Sequence, residues 1–211
     1  MDYAAFVLAN TALGTPPLVP EIRLHLSEDV IGLWRAVEAA TGATNTAPPF
    51  WAFAWAGGQA VARYVLDHPQ IVKGKTVLDF GAGSGLIAIA AVKAGAASVA
   101  AADIDSFSTA ATLLNTQENG VSVTALGQDV IGQDGWQTIL VGDMCYERPL
   151  AERLMVWLRA RHAAGTEVFI GDPGRNYFFK DGLEKLAEYR VKTPRDLEDR
   201  EMRETGVYRL D

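Results

Sequence analysis

Apolar positions in the middle of the chain alternate between short continuous runs and helical patterns. The continuous runs predict buried strands at residues 76–80, 98–103, 121–126, 139–142 and 167–171. The helical patterns predict helices at residues 57–67, 86–93, 106–118 and 150–163. Strands that alternate with helices are typical of a mostly parallel sheet covered on both faces, with a ligand site at the carboxyl ends of the strands.

The N-terminal part carries a weaker pattern. It predicts a helix over residues 2–13, an extended segment over residues 22–26 and a second helix that runs from the N-cap Ser27 to Thr41. Gly42 is placed to end that second helix. We therefore expect residues 1–47 to form a helical N-terminal extension.

The C-terminal part predicts a helix over residues 182–188 and two final strands over residues 189–192 and 207–210. Because no helix separates the last two strands, we expect them to pair antiparallel. A charged, solvated connection over residues 194–204 would join them. The expected fold is α/β, with residues 48–211 as the main domain.

A glycine turn, Gly81-Ala82-Gly83-Ser84-Gly85, follows the first strand of the alternating region. Glycines permit a tight turn and let a ligand approach the backbone closely. Leu86 stands where a dinucleotide-binding fingerprint has its third glycine or alanine. The turn therefore favours S-adenosylmethionine (SAM), which has no pyrophosphate to place at a helix N-terminus. We expect contacts to this cofactor from Gly81, Ala82, Gly83 and Gly85.

Acidic residues at the ends of the next two strands complete the expected cofactor site. Asp103 would accept hydrogen bonds from ribose hydroxyls, since a charged acceptor makes the stronger bonds. Ile104 would pack on the adenine, and Asp129 would accept from its amino group. Two further acids have structural interpretations: Asp105 as a helix cap and Asp79 as an anchor for the glycine turn.

The fourth strand of the alternating region ends at Gly142, and the residues that follow it are the candidates for the reaction. If the nucleophile is a lysine amine, its pKa of about 10.4 must fall, and a partly dry pocket beside a sulfonium charge lowers it. Asp143 would then hold the amine by a hydrogen bond, and Tyr146 would accept a second one or line the pocket. Trp51 and Trp55 would wall the other side. Alternatively, the aromatic residues belong to the core and Asp143 caps a helix.

Composition narrows the function classes. The chain of 211 residues has a net charge of −7, which argues against a nucleic-acid binder with a basic patch. The single cysteine, Cys145, and three scattered histidines predict no disulfide framework and no metal site, and Cys145 is interpreted as a small buried residue. No secretory signal or membrane span is apparent. We expect a monomer in the cytoplasm.

With these motifs, the sequence resembles the seven-strand lysine methyltransferases that carry an Asp-x-x-Tyr motif. More narrowly, it resembles the electron transfer flavoprotein beta-subunit lysine methyltransferase family over about residues 45–180. The motifs that carry the resemblance are residues 50–60 (FWAFAWAGGQA), the glycine turn, residues 102–105 (ADID), residues 142–147 (GDMCYE) and residues 170–175 (IGDPGR). Ala56 and Cys145 depart from the family, which often has proline and phenylalanine there.

The resemblance implies a class I SAM-dependent methyltransferase fold that is Rossmann-like, with a seven-stranded, mostly parallel sheet and an antiparallel last strand. It implies SAM contacts from Trp55, Gly81 to Gly83, Asp103 and Gly142, with Asp143 and Tyr146 as the lysine-side pair. The product would be methylated lysine in the flavoprotein subunit, which would interfere with docking of partner dehydrogenases. Since no mitochondrial targeting segment is visible, we expect a bacterial member.

Two other functions stay open. One is methylation of a ribosomal protein or a small amine, although the Asp-x-x-Tyr motif differs from the Asn/Asp-Pro-Pro-Tyr motif of glutamine, adenine and cytosine methylation. The other is a SAM-binding module without activity, which the presence of Asp103, Asp143 and Tyr146 disfavours. The sequence does not specify the target lysine or the number of methyl groups added.

Overall fold

The computed structural model describes residues 1–193 and 201–211. Within these residues the strands are β1 (Ala12–Gly14), β2 (Leu24–Leu26), β3 (Thr76–Phe80), β4 (Ser98–Ala102), β5 (Thr124–Leu126), β6 (Thr138–Gly142), β7 (Glu167–Asp172), β8 (Leu183–Lys192) and β9 (Met202–Leu210). The α-helices are α1 (Tyr3–Asn10), α2 (Val30–Thr41), α3 (Ala56–Asp67), α4 (Leu86–Lys93), α5 (Ser106–Glu118) and α6 (Arg148–Ala163).

Seven of these strands form one sheet in the order β5-β4-β3-β6-β7-β9-β8. The strands from β5 to β7 are parallel, whereas β9 runs antiparallel between β7 and β8. The order of the strands reverses at β3, which pairs with β4 on one side and with β6 on the other. A crevice therefore opens beyond the carboxyl ends of these three strands, where α/β proteins bind ligands.

The structure confirms the strands and helices predicted for the middle of the chain, with end shifts of a few residues. The predicted helix over residues 182–188 is wrong, because these residues belong to the long strand β8. Leu183 pairs with Leu210 and Glu184 with Arg209 of β9, and a bulge between Lys185 and Ala187 interrupts the ladder. Pairing with β9 thus overrides the helical preference of the segment Leu-Glu-Lys-Leu-Ala-Glu.

The expected solvated connection is also partly wrong. Residues 202–204 are strand residues of β9 that pair with the end of β8. The carbonyl of Glu201 accepts the N–H of Thr193 at 2.9 Å, and residues 194–200 of that prediction lie outside the described residues.

At the N-terminal end, the first predicted helix is shorter than expected. It ends at Asn10, because the next residues pair with β2 as the strand β1. The second helix begins after Asp29, whose carboxylate accepts the N–H of Gly32, so Ser27 is not its N-cap. Gly42 ends this helix in the left-handed conformation, as predicted (φ 69°).

The first helix α1 packs against α5. Tyr3 and Phe6 of α1 lie against Phe107, with ring centroids 4.9 and 5.0 Å away. Asn115 of α5 accepts the N–H of His25, which ties β2 to the same helix. Among the described helices, none is long and apolar enough to span a membrane.

Candidate active site

A cavity of about 560 Å³ lies at the carboxyl ends of β3, β4 and β6. Its walls come from the glycine turn after β3, the residues that follow β4, β5 and β6, and the loop over residues 47–55. Most of the predicted site residues line it, namely Trp55, Gly81, Gly83, Asp103, Ile104, Asp129, Gly142, Asp143 and Tyr146. The topology therefore brings together segments that lie far apart in the sequence.

The glycine turn is held by the strand beside it. The N–H groups of Gly81 and Ala82 both donate to the carbonyl of Ala102 at the end of β4, at 2.9 and 3.0 Å. Gly81 has a φ of 68°, and a Cβ there would lie 2.3 Å from the sulfur of Met144. The positive φ therefore favours glycine at this position, whereas the contact with the flexible Met144 side chain could be relieved by a shift of that side chain.

Two members of the turn, both predicted to contact the cofactor, lie outside the lining of this cavity. Ala82 is buried, and its N–H is already bonded within the sheet. Gly85 is the N-cap of α4 and faces Thr112, whose Cγ2 atom would lie 3.0 Å from an added Cβ. Ala82 instead lines a small adjoining cavity with Gly81 and Gly83, and Gly85 shapes the turn at the start of α4.

Asp103 joins the glycine turn to the end of β4. One carboxylate oxygen accepts the N–H of Gly83 at 2.9 Å, and the other accepts the N–H of Asp105 at 3.0 Å. These bonds fix the carboxylate at the wall of the cavity. Asp105 itself accepts the N–H of Phe107 and caps α5, as its structural interpretation predicted.

Two residues further along this wall differ in exposure and pairing. Ile104 lines the cavity with 78% of its surface exposed, so a flat apolar ligand would cover it. Asp129 accepts the N–H of Ile131 at 2.9 Å and forms an ion pair with Arg153. Each carboxylate oxygen of Asp129 therefore already has a partner within the protein.

Asp79 lies beneath the turn and is completely buried. One of its oxygens accepts the N–H of Ala88 in α4 at 2.9 Å, and the other has no hydrogen-bond partner. Burial raises the pKa of Asp79 to about 7, and the nearby charge of Asp103 adds to the shift. Its position agrees with the predicted role as an anchor for the turn.

Asp143 connects three segments of the chain. Its backbone adopts a φ of 59°, a left-handed conformation that aspartate tolerates better than most residues, and its N–H donates to Gly171 at 3.0 Å. The side chain is buried, and one oxygen accepts the N–H of Gly58 at 3.0 Å in the first turn of α3. The alternative interpretation of Asp143 as a helix cap is thus partly correct, but the helix is α3.

The other oxygen of Asp143 accepts hydrogen bonds from Arg175, at 2.7 Å from Nη2 and 3.2 Å from Nε. Asp172 holds the loop that carries this arginine, since one of its oxygens accepts the N–H groups of Gly174 and Arg175, both at 2.7 Å. The other oxygen of Asp172 is buried without a hydrogen-bond partner. Burial, with a smaller contribution from the Asp143 charge, raises the pKa of Asp172 to about 6.

Aromatic rings form the wall next to this ion pair. The guanidinium carbon of Arg175 lies 5.5 Å from the ring centroid of Trp55. Phe50 lies 5.6 Å from Trp55 and 5.4 Å from Tyr146, between centroids. Burial raises the pKa of the Tyr146 hydroxyl, with smaller contributions from neighbouring acids, so this group stays protonated at neutral pH.

Trp51, predicted to contact the substrate, does not reach the cavity. It is 1% exposed and stacks on Phe107 at 5.8 Å in a core cluster formed with α1 and α2. The short turn over Phe50–Ala52 points neighbouring side chains in different directions, so Phe50 takes the place expected for Trp51. For Trp51, the alternative interpretation that the aromatic residues belong to the hydrophobic core is therefore correct.

The interpretation of Cys145 as a small buried residue is confirmed. The side chain is 1% exposed and packs in the cluster between the sheet and α6. Burial, together with the charges of Asp172 and Asp143, raises the pKa of the thiol to about 12. A thiolate nucleophile is therefore excluded at this position.

Sequence reasoning did not single out two residues of the reacting wall, Phe50 and Arg175. Phe50 lies in the motif over residues 50–60, and Arg175 lies in the motif over residues 170–175. Membership in these two motifs was therefore the available sequence signal for both residues. Arg175 contacts Asp143, which lies 32 positions earlier in the chain, and Phe50 contacts Tyr146, which lies in a distant segment. No local sequence pattern encodes such contacts.

Comparison with known proteins extends this picture. Residues 63–141 match the family model of ribosomal protein L11 methyltransferase (PrmA). The electron transfer flavoprotein beta subunit lysine methyltransferase of Xenopus laevis is 40% identical over 193 residues, which are 88% of this chain and 77% of that protein. The protein of the same name from Danio rerio is 38% identical over 199 residues, or 90% and 76% of the two chains.

Among solved structures, the chain is similar to magnesium protoporphyrin IX methyltransferase from Synechocystis PCC 6803 with bound SAM. The TM-score is 0.52 at 17% identity, over 73% of this chain and 78% of the other. At this identity the likeness shows the fold alone, and it confirms the class I methyltransferase fold expected from the sequence.

Proposed function

Since this chain belongs to the electron transfer flavoprotein beta subunit lysine methyltransferase family, we propose that it methylates lysine side chains of that flavoprotein subunit. The chain is accordingly a SAM-dependent protein-lysine methyltransferase. The observation that carries the proposed site is the division of one cavity into two walls. One wall offers backbone groups and Asp103, and the other offers Asp143 with aromatic rings.

The first wall fits SAM. Gly83 leaves the backbone open, because an added Cβ would meet only atoms 3.8 Å or more away. In our assignment, Asp103 accepts from the ribose hydroxyls, Ile104 covers the adenine and Asp129 accepts from its amino group. Gly81, Gly142 and Trp55 would line the remainder. When bound, SAM supplies a methyl group on a positively charged sulfur.

The second wall fits a lysine side chain. An amine is a nucleophile only in its neutral form, so the site must favour loss of a proton. The rings of Phe50, Trp55 and Tyr146 offer an apolar face to a bound lysine, and removal of the amine from water on binding would disfavour the ammonium form. We assign Asp143 and Tyr146 to hold and aim the amine. Alignment with the methyl group would supply much of the acceleration.

The match to the L11 methyltransferase model does not favour a ribosomal substrate. Its last residue is 141, which precedes Asp143, and it begins within α3, after the aromatic segment. The matched stretch thus contains the glycine turn and Asp103 but lacks the reacting wall. It supports the cofactor and leaves the substrate to be decided by the longer relatives.

We further propose that the enzyme is a cytoplasmic monomer that binds no nucleic acid. The net charge of −7 supports the last point, because a polyanion would be repelled. Light scattering on a sizing column tests the monomer, and cell fractionation tests the location. Retention on a heparin or DNA column at physiological salt would contradict the absence of nucleic-acid binding.

The decisive experiment incubates the enzyme with methyl-labelled SAM and purified flavoprotein, followed by mapping of the modified residues by mass spectrometry. We expect label on the Nε atom of one or more lysines of the beta subunit. A matched reaction contains a ribosomal extract and free small amines in place of the flavoprotein. Label only in the matched reaction would overturn the proposed substrate, and no label on any lysine would overturn lysine methylation itself.

A further inference from the structure

Arg175 brings a positive charge into contact with Asp143 at the reacting wall. We propose that Arg175 is a positioning residue for methyl transfer: by neutralising the Asp143 carboxylate, it lets the substrate amine meet this side chain without being held in its protonated, unreactive form. The inference rests on the proposed function, since it requires a lysine amine next to Asp143. It assigns a role to a residue for which the motif alone suggested none.

The geometry of the pair is well suited to a fixed charge. Two nitrogens of the guanidinium converge on one oxygen of Asp143, and the side chains are only 17% and 8% exposed. Asp172 anchors the backbone of Arg175, and the ring of Trp55 supports its guanidinium. A guanidinium stays charged at every pH at which the enzyme is stable, so it cannot switch off.

Without this cation, Asp143 would oppose catalysis. A carboxylate within about 4–6 Å of an amine favours the ammonium form, whose nitrogen has no lone pair to donate. In the transfer step the amine lone pair forms the new N–C bond, the bond from sulfur to the methyl carbon breaks and its electrons stay on sulfur. The proton has to leave for water beforehand. A neutralised carboxylate can therefore orient the amine and still allow this loss.

The surroundings of the pair make the need for a cation stronger. The cavity wall and the loops around the pair and Tyr146 carry further titratable groups, namely Asp103, Asp105, Cys145, Glu147 and Asp172. Four of these are carboxyl groups. The charge of Asp143 acts to raise the pKa of Asp172 and Cys145, and the charge of Arg175 opposes this effect at Asp172. From α3, the N–H of Gly58 contacts the carboxylate without cancelling its charge.

A second arginine at the cavity cannot replace Arg175. Arg153 lies at the rim, where its side chain is 57% exposed and paired with Asp129. Solvent screens this pair, and its charges already compensate each other. The charge at the reacting wall is therefore set by the pair of Arg175 and Asp143.

The test measures methylation of the purified flavoprotein subunit from pH 6.5 to pH 10 at saturating SAM, with Arg175→Gln, Arg175→Lys and wild type. For Arg175→Gln we expect the midpoint of the pH profile to rise by about one unit, which is roughly a tenfold loss at pH 7. The rate should recover to within about threefold of wild type at pH 10. Arg175→Lys keeps the charge and should keep the wild-type midpoint, even with a lower maximum.

Arg148→Gln is the matched control, because Arg148 is an exposed arginine that pairs with Glu152 on the surface of α6. It should leave the profile unchanged. Arg175→Met keeps an unbranched stem over Trp55 and replaces Arg175→Gln if the latter does not fold. SAM binding by calorimetry identifies variants that retain an intact cofactor site.

The inference is overturned if the neutral variants lose the same factor at every pH, which is the behaviour of a structural residue. It is equally overturned if they bind SAM and stay inactive up to pH 10, or if Arg175→Lys shifts the midpoint as far as Arg175→Gln. A failure of the proposed function looks different. In that case the wild-type enzyme itself does not label the flavoprotein subunit at any pH.

Discussion

The two walls of the cavity are built in different ways. The centre of the cofactor wall is local, since the glycine turn, Asp103 and Asp105 are linked through backbone N–H groups over about twenty residues of one strand–helix–strand unit. The reacting wall is assembled from three distant segments, which meet where Asp143 contacts Gly58 and Arg175. The first wall presents mainly backbone, and the second presents an ion pair and aromatic rings.

This difference assigns affinity for the cofactor to one wall and the methyl-transfer reaction to the other. Backbone groups held in place by a sheet keep the same geometry whichever side chains are present. The cofactor wall is therefore suited to SAM, which is the same ligand for every substrate. Side chains from separate segments can differ between relatives, so the reacting wall sets the nucleophile. Changes on the first wall should therefore alter cofactor affinity, and changes on the second should alter transfer from an enzyme that still binds SAM.

The largest expected effect comes from Asp143→Asn. The amide can still accept from Gly58, but it no longer balances the charge of Arg175 or holds the amine in place. We expect methyl transfer to fall roughly 100-fold or more, as expected when a reacting group is misplaced. Single-turnover kinetics gives the rate, and calorimetry should show SAM affinity within about threefold of wild type. If SAM affinity fell by as large a factor as the methyl-transfer rate, the assignment of separate roles to the two walls would be wrong.

Asp103→Asn probes the opposite wall. Loss of a charged acceptor costs roughly 1.5–3 kcal/mol for a hydrogen bond, so the dissociation constant for SAM should rise about 30-fold. The rate at saturating SAM should change little. Asp105→Asn is the control, because asparagine caps a helix as well as aspartate does, and its effect on affinity should stay within about threefold. Equal effects of the two substitutions would contradict the role assigned to Asp103.

Asp79→Asn tests the buried support of the turn through pH. Because folding raises the pKa of Asp79 from 3.8 to about 7, the folded state keeps the proton between these values while the unfolded chain releases it. The effect of Asp79 on stability is therefore least unfavourable at low pH and becomes more unfavourable as pH rises, with a loss of about 1.4 kcal/mol between pH 6 and pH 8. Asparagine does not ionise, so the variant lacks this loss. Its free energy of unfolding, relative to that of wild type, should therefore rise by about 1.4 kcal/mol between pH 6 and pH 8. Urea denaturation at the two pH values measures the change, and parallel curves would contradict it.

The smallest effects separate two adjacent aromatic residues. Trp51→Phe removes packing from a full core position and should lower the free energy of unfolding by about 1 kcal/mol, with little change in the Michaelis constant for the flavoprotein. Phe50→Leu should leave stability nearly unchanged and raise that constant a few-fold, since Phe50 lines the cavity. Thermal melts and steady-state kinetics on both variants measure this. The reverse assignment of effects would show that Trp51 contacts the substrate.

Much of the fold could be predicted because its signals are local. The strand and helix from Thr76 to Lys93 have apolar runs and a glycine turn that fix their bounds. The segment that became β8 misled the prediction, since its leucines and charged residues favour a helix in isolation. Only its partner β9, which comes later in the sequence, makes it a strand.

The residues of the candidate site also fall into two groups, those with a local sequence signal and those that depend on tertiary contacts. Asp103 and Gly81 were predicted from one motif and its spacing, and both line the cavity. The structure places Trp51, the predicted substrate contact, in the core and Phe50 at the cavity, because a single turn decides which of two neighbouring rings faces the ligand. Arg175 could not be assigned at all, because its partner Asp143 lies 32 positions away and in another strand–helix unit.

The most direct test of the two-wall account is a crystal structure of the protein with S-adenosylhomocysteine. The account predicts ribose hydroxyls about 3 Å from the Asp103 carboxylate, a hydrogen-bonding distance, and the sulfur facing the space between Trp55 and Asp143. A ribose bound away from Asp103, or a sulfur that faces away from Asp143, would contradict it.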